Sequence, residues 1–186
     1  EINNNGHIII IKAVNPLFTL ANRKAVPLNL KLTNDKILLL SGPNAGGKTV
    51  VLKSLGLYTL MAQCGLFIPA KEAQLSIFTR LMADIGDQQS IEDDLSTFSA
   101  HIQNLAEIVK EADENTLILI DELGTGTDPD AGAALSQAIM ETLLKQNSTV
   151  IATTHLGTLK IWASNENGIV NGGMIFDSEA LAPTYE

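Results

Sequence analysis

Residues 42–49 read Gly-Pro-Asn-Ala-Gly-Gly-Lys-Thr, and no other segment restricts the possible folds as strongly. The run fits G-x-x-x-x-G-K-[ST], a loop that wraps phosphates in backbone N–H groups. Amides can surround such crowded negative charge only where side chains stay clear and unusual φ values are allowed, hence the glycines. Such a loop must follow a strand and open a helix, whose positive end then faces the phosphates. The flanks agree. Ile37-Leu38-Leu39-Leu40 reads as a central strand, and residues 48–63 are apolar nearly all round, as in a buried helix. Gly42, Pro43, Asn44, Ala45, Gly46, Gly47, Lys48, Thr49 and Val50 are therefore the expected nucleotide contacts. Lys48 would reach the β- and γ-oxygens, and the Thr49 hydroxyl would ligate Mg²⁺.

The remaining chain divides into short apolar runs and amphipathic stretches. Ile8-Ile9-Ile10-Ile11 and residues 28–32 read as strands, as do Leu117-Ile118-Leu119-Ile120 and Val150-Ile151-Ala152-Thr153. Gly65, with Pro69 beyond it, stops the first long helix, and Gly56 within that helix points to close packing. Residues 84–90 read as a loop. Ser96 or Thr97 then caps a helix with Phe98, Ile102, Leu105, Val109 and Ala112 on one face. Asp128 caps another, with Pro129 in its first turn and Leu135, Ala138, Ile139 and Leu143 along one side. One or two short strands are expected across residues 168–176, around an Asn171-Gly172 turn. Strands alternating with helices imply an α/β fold with a mostly parallel central sheet.

Two strand ends add chemistry. Asp121-Glu122 follows an apolar quartet directly. Asp121 would hold Mg²⁺ and Glu122 would act as general base toward water; taken alone, the pair also suits two ordinary solvated acids. His155 closes the next strand, and strand ends in such sheets converge on the ligand, so a γ-phosphate contact is expected. His7 and His101 have no such context and are assigned no role.

The chain has 186 residues, 45 % of them apolar, enough for one folded domain. Its net charge of −9 excludes a dominant basic nucleic-acid surface on the chain itself. The single cysteine, Cys64, is expected as a buried helix residue. No apolar run reaches the ~20 residues of a membrane helix, and the expected compartment is the cytoplasm.

Together these motifs resemble the ATPase core shared by ABC transporters, Rad50/SMC proteins and the MutS family. Ser96-Thr97-Phe98-Ser99 stands where MutS proteins carry Ser-Thr-Phe and transporters carry Leu-Ser-Gly-Gly-Gln. The forms Gly42-Pro43-Asn44-x-Gly-Gly-Lys, Asp121-Glu122-x-Gly-x-Gly-Thr, Met61-Ala62-Gln63-Cys64-Gly65 and Ile68-Pro69-Ala70 are similar to MutS as well. Residues 83–91, 95–99 and Gly126-Thr127-Asp128-Pro129 look like the nuclease-associated bacterial branch, whose members often carry a C-terminal Smr domain.

The resemblance implies a P-loop NTPase of ABC-ATPase type, with an antiparallel portion beside the parallel sheet. Residues 1–186 would be a single ATPase domain from a longer protein. It implies ATP and Mg²⁺ as ligands and a homodimer in which Ser96 contacts the γ-phosphate held by the partner subunit; a simple helix cap is the other reading of that serine. Branched or mismatched DNA, or a stalled ribosome, would be engaged by domains beyond these residues, and so would any endonuclease activity. One departure concerns the base. Repair sensors place an aromatic residue shortly before Pro-Leu-Asn-Leu, whereas this chain has Arg23-Lys24-Ala25-Val26 before Pro27. Alternatives are a mismatch-repair sensor ATPase, a P-loop kinase for small molecules, or a module that binds nucleotide without useful turnover. Only Arg80 lies in the region where a kinase would carry an arginine-rich lid.

Overall fold

The computed structural model describes residues 1–23, 25–42, 46–86, 94–173, 176–177 and 182–183; for 94–98, 176–177 and 182–183 it describes the backbone alone. Five parallel strands form the central sheet: β4 (Ile37–Ser41), β6 (Arg80–Asp84), β7 (Thr116–Ile120), β8 (Thr149–Thr154) and β9 (Ile169–Gly173). Their order is β6-β7-β8-β4-β9. A second sheet, ordered β1-β5-β2-β3, is built from β1 (Ile2–Asn3), β2 (Ile8–Ala13), β3 (Leu28–Leu32) and β5 (Glu72–Ser76). There β2 runs antiparallel to both β3 and β5. A short antiparallel pair, β10 (Phe176–Asp177) and β11 (Ala182–Pro183), follows β9.

Period-2 alternation divides the central strands between two cores. Leu38, Leu40, Leu117, Leu119 and Ile151 face α2 (Lys48–Gln63), which also packs on Ile8, Ile10, Ala13 and Leu32 of the second sheet. Ile37, Leu39, Ile118, Ile120, Val150 and Ala152 face the other way, onto α3 (Asp94–Glu111), α4 (Pro129–Lys145) and α5 (Gly157–Ala163). A helix wedged between two sheets must be apolar on opposite sides, which is why α2 lacks a single apolar stripe. Gly56 lets it settle: a Cβ there would meet Leu119 Cδ1 at 3.0 Å. A five-residue helix, α1 (Pro16–Leu20), joins β2 to the loop before β3.

Several expectations need correction. Cys64 is exposed, because it caps the end of α2 where the helix emerges from between the sheets, beside exposed Leu66 and Phe67. Asn171-Gly172 is not a turn but part of β9. Its glycine is there for packing, since a Cβ at Gly172 would meet Leu40 Cδ2 at 2.8 Å. In α4 the buried side is Gly132, Ser136, Ile139, Met140 and Leu143, while Leu135 and Ala138 are exposed. The small residues on that side admit close backbone approach, which a search for large apolar residues overlooks. Helix α3 starts at Asp94, ahead of the expected serine or threonine cap, and its buried face includes Ile108. Of the loop expected over residues 84–90, Asp84 ends β6, and residues 87–90 lie outside the described residues.

Candidate nucleotide site

The carboxyl ends of β4, β7 and β8 meet at one edge of the central sheet, and α2 starts there. Gly47 precedes the helix at φ +85°, and Gly42 leaves β4 at φ +149°; both lie in regions that favour glycine. Pro43, Asn44 and Ala45 lie outside the described residues. Gly46 is buried, Lys48 is 3 % exposed, and Val50 points outward at 38 % exposed. Lys48 Nζ donates to the Gly42 carbonyl at 2.7 Å, so the ammonium is folded back across its own loop. Burial lowers its pKa, and the charges of Asp121 and Glu122 oppose that shift.

Thr49 Oγ1 donates to Asp121 Oδ2 at 2.5 Å. Two residues 72 positions apart in sequence are thus in direct contact, one from the first turn of α2 and the other just past β7. Asp121 is 6 % exposed, and its second oxygen accepts Thr153 Oγ1 at 2.6 Å. That hydroxyl in turn accepts the Glu122 N–H at 2.8 Å. Glu122 itself sits at φ +52°, a region that few residues other than glycine adopt. It is held there from both sides. Thr125 Oγ1 donates to the Glu122 carbonyl at 2.8 Å, and the Leu123 N–H donates to Thr153 O at 2.8 Å. His155 Nε2 stands 3.5 Å from Glu122 Oε1.

The structure therefore brings Lys48, Thr49, Asp121, Glu122 and His155 to one sheet edge. Ser96 lies in the first turn of α3, and its side chain is outside the described residues. Thr153 is the member that sequence reasoning passed over; its position two residues before His155 at a strand end was the available signal. Among the described residues no three His, Cys, Asp or Glu side chains gather as a metal cage. A hydroxyl and a carboxylate in contact suit Mg²⁺, which prefers oxygen donors, keeps waters and takes further ligands from substrate phosphates. No described helix is long and apolar enough to cross a membrane.

The family described as MutS domain V matches residues 38–182. Endonuclease MutS2 of Caldicellulosiruptor saccharolyticus is 52 % identical over 186 residues, covering 99 % of this chain and 23 % of the relative. Endonuclease MutS2 of Gemmatimonas aurantiaca is 51 % identical over 178 residues, covering 95 % and 22 %. Endonuclease MutS2 of Clostridium botulinum is 50 % identical over 186 residues, covering 99 % and 23 %. The chain thus spans about a quarter of the length of these relatives. The chain belongs to the MutS family, in its MutS2 branch.

Proposed function

We propose that this chain binds and hydrolyses ATP and acts as the switch domain of a MutS2-type protein. The observation that carries the reading is the 2.5 Å contact between Thr49 and Asp121 beside the buried Lys48. In this reading the amides at Gly46 and Gly47 and the Lys48 ammonium bind the β- and γ-phosphates. Thr49 and Asp121 would hold Mg²⁺, which when bound neutralises charge on the phosphate oxygens. Glu122 orients the attacking water and takes its proton, and His155 steadies the Glu122 carboxylate. Ser96 reaches the γ-phosphate held by a second copy, so hydrolysis follows pairing. Closure of the pair would be passed to other parts of the full-length protein, which act on DNA or on a stalled ribosome. The nuclease activity named for the relatives is likewise assigned to regions beyond this chain.

Calorimetry and phosphate release test this directly. Lys48→Ala should abolish tight binding of MgATP; unchanged affinity would remove the phosphate-loop assignment. Glu122→Gln should bind ATP normally and lose at least ~10²-fold in turnover. Turnover that survives the change would take Glu122 out of the mechanism. Free phosphate is the expected product, whereas a phosphorylated metabolite would favour a kinase.

A further inference from the structure

Strand β6 ends in a buried acid, Asp84, beside the end of β7. Its backbone and its side chain serve different elements. The Asp84 carbonyl accepts the Asp121 N–H at 2.9 Å, which ties it to the metal-binding turn. The carboxylate's Oδ2 is in close ion-pair contact with His101 Nδ1 on α3, short of hydrogen-bond geometry, and its Oδ1 accepts Asn104 Nδ2 at 3.2 Å. Asp84 is 9 % exposed and His101 8 %. His101 Nε2 is buried without a hydrogen-bond partner among the described residues. A cavity of about 10 Å³ lies between His101 and Gly124, Thr125 and Thr127, the loop that follows Glu122.

A buried acid–base pair is a poor source of stability, because desolvation roughly cancels the attraction and two apolar residues would serve as well. What it fixes is register. An apolar contact tolerates sliding of α3 along β6. A carboxylate gripped by a ring nitrogen and by an amide three residues further on does not.

We infer that Asp84, His101 and Asn104 form a positioning device for the nucleotide site, an inference that rests on the ATP-hydrolysing reading above. The cluster fixes the height of α3, which carries Ser96, against the strand ends that carry Asp121 and Glu122. His101 acts through the helix and touches neither nucleotide nor metal. A small slip of α3 would misplace Ser96 relative to the γ-phosphate of the paired copy, and misplacement of that kind is felt in kcat.

The test is steady-state ATP hydrolysis by the full-length protein, with circular dichroism to verify folding. His101→Leu should lower kcat by about 10- to 100-fold while KM for ATP changes by less than about threefold. His101→Asn keeps an N–H donor near the place of Nδ1 and should return kcat to within about threefold of wild type. In a Ser96→Ala background, His101→Leu should cost at most about twofold more. His101→Gln, which displaces the donor by one methylene, takes the place of leucine in the cycle if the leucine variant does not fold. A folded His101→Leu protein with wild-type kcat overturns the proposal. So does an asparagine variant as slow as leucine, or losses that multiply with Ser96→Ala. Glu122→Gln in the same assay separates the two layers: wild-type turnover there sinks the ATPase reading itself. An inactive Glu122→Gln beside a fully active His101→Leu removes only the positioning role.

Discussion

At the scale of single residues, the site is organised around a threonine whose identity carries no chemistry by itself. Thr153 donates to the Asp121 carboxylate and accepts from the Glu122 N–H, so one hydroxyl sets both neighbouring acids. Valine has the same shape but not the hydroxyl, and it would leave the part-buried Glu122 N–H and a buried Asp121 oxygen each short of a partner. Thr153→Val should therefore destabilise the fold by about 1–3 kcal/mol, measured by urea unfolding. It should also slow ATP turnover more than it weakens ATP binding. A variant of native stability and rate would show that Glu122 keeps its positive φ without this contact. That Lys48, Thr49, Asp121, Glu122 and His155 would meet was legible in the sequence, because each stands at a helix start or just past an apolar strand. Thr153 was legible only as a strand-end residue two before His155, and His101 not at all, because each gains its role from a partner that folding delivers, 32 residues away for Thr153 and 17 for His101.

At the scale of elements, the approach of α4 to the loop behind Glu122 is the tightest in the site. A Cβ on Gly132 would lie 2.2 Å from the Gly124 carbonyl oxygen, and Gly124 itself sits at φ +87°. Gly132→Ala must push helix and loop apart, at a cost of about 1–3 kcal/mol, and turnover should fall with it. Gly157→Ala meets nothing within 4 Å and should leave thermal stability unchanged or raise it slightly. Equal melting temperatures for the two variants would contradict the packing argument. The turn between α3 and β7 gives a pH prediction. The Thr116 hydroxyl, then the Asn115 N–H, and the nearby Arg80 charge lower the Asp113 pKa below its ordinary 3.8. A depressed carboxyl pKa stabilises the folded state above the ordinary value, and that contribution fades as pH falls through the folded value. Wild type should thus exceed Asp113→Ala in stability at pH 6, with the gap narrowing in acid below pH 3.8. A gap that widens in acid would reverse the sign. Periodicity located β4, α2, β7, α4 and β8 from sequence because each has a long apolar run or a side-chain cap. It missed β5, which alternates but offers only Ala73 and Leu75 as apolar residues, and β6, whose apolar run is the three residues Leu81, Met82 and Ala83. The Asn-Gly pair in β9 misled because turn chemistry and close strand packing both call for a glycine.

At the scale of the whole molecule, charge sets the terms of any partnership. A chain with net charge −9 lacks the cationic surface on which nucleic-acid affinity depends, so binding to duplex DNA at physiological salt should not exceed weak, non-specific levels. The same charge opposes the pairing proposed above, since two copies repel each other and each bound nucleotide adds negative charge. Pairing must then be driven by contacts made only when ATP bridges the two faces, with Ser96 supplied by one copy and Lys48 by the other. Screening weakens repulsion between acidic surfaces more than it weakens contacts buried in a closed interface. For the Glu122→Gln chain with MgATP, raising salt from about 20 to 150 mM, which shortens the screening length severalfold, should therefore promote dimers in sedimentation velocity. Interfaces built on complementary charge respond in the opposite direction. Dimers that dissolve as salt rises, or that form equally well without ATP, would place the pairing surface somewhere other than the nucleotide face.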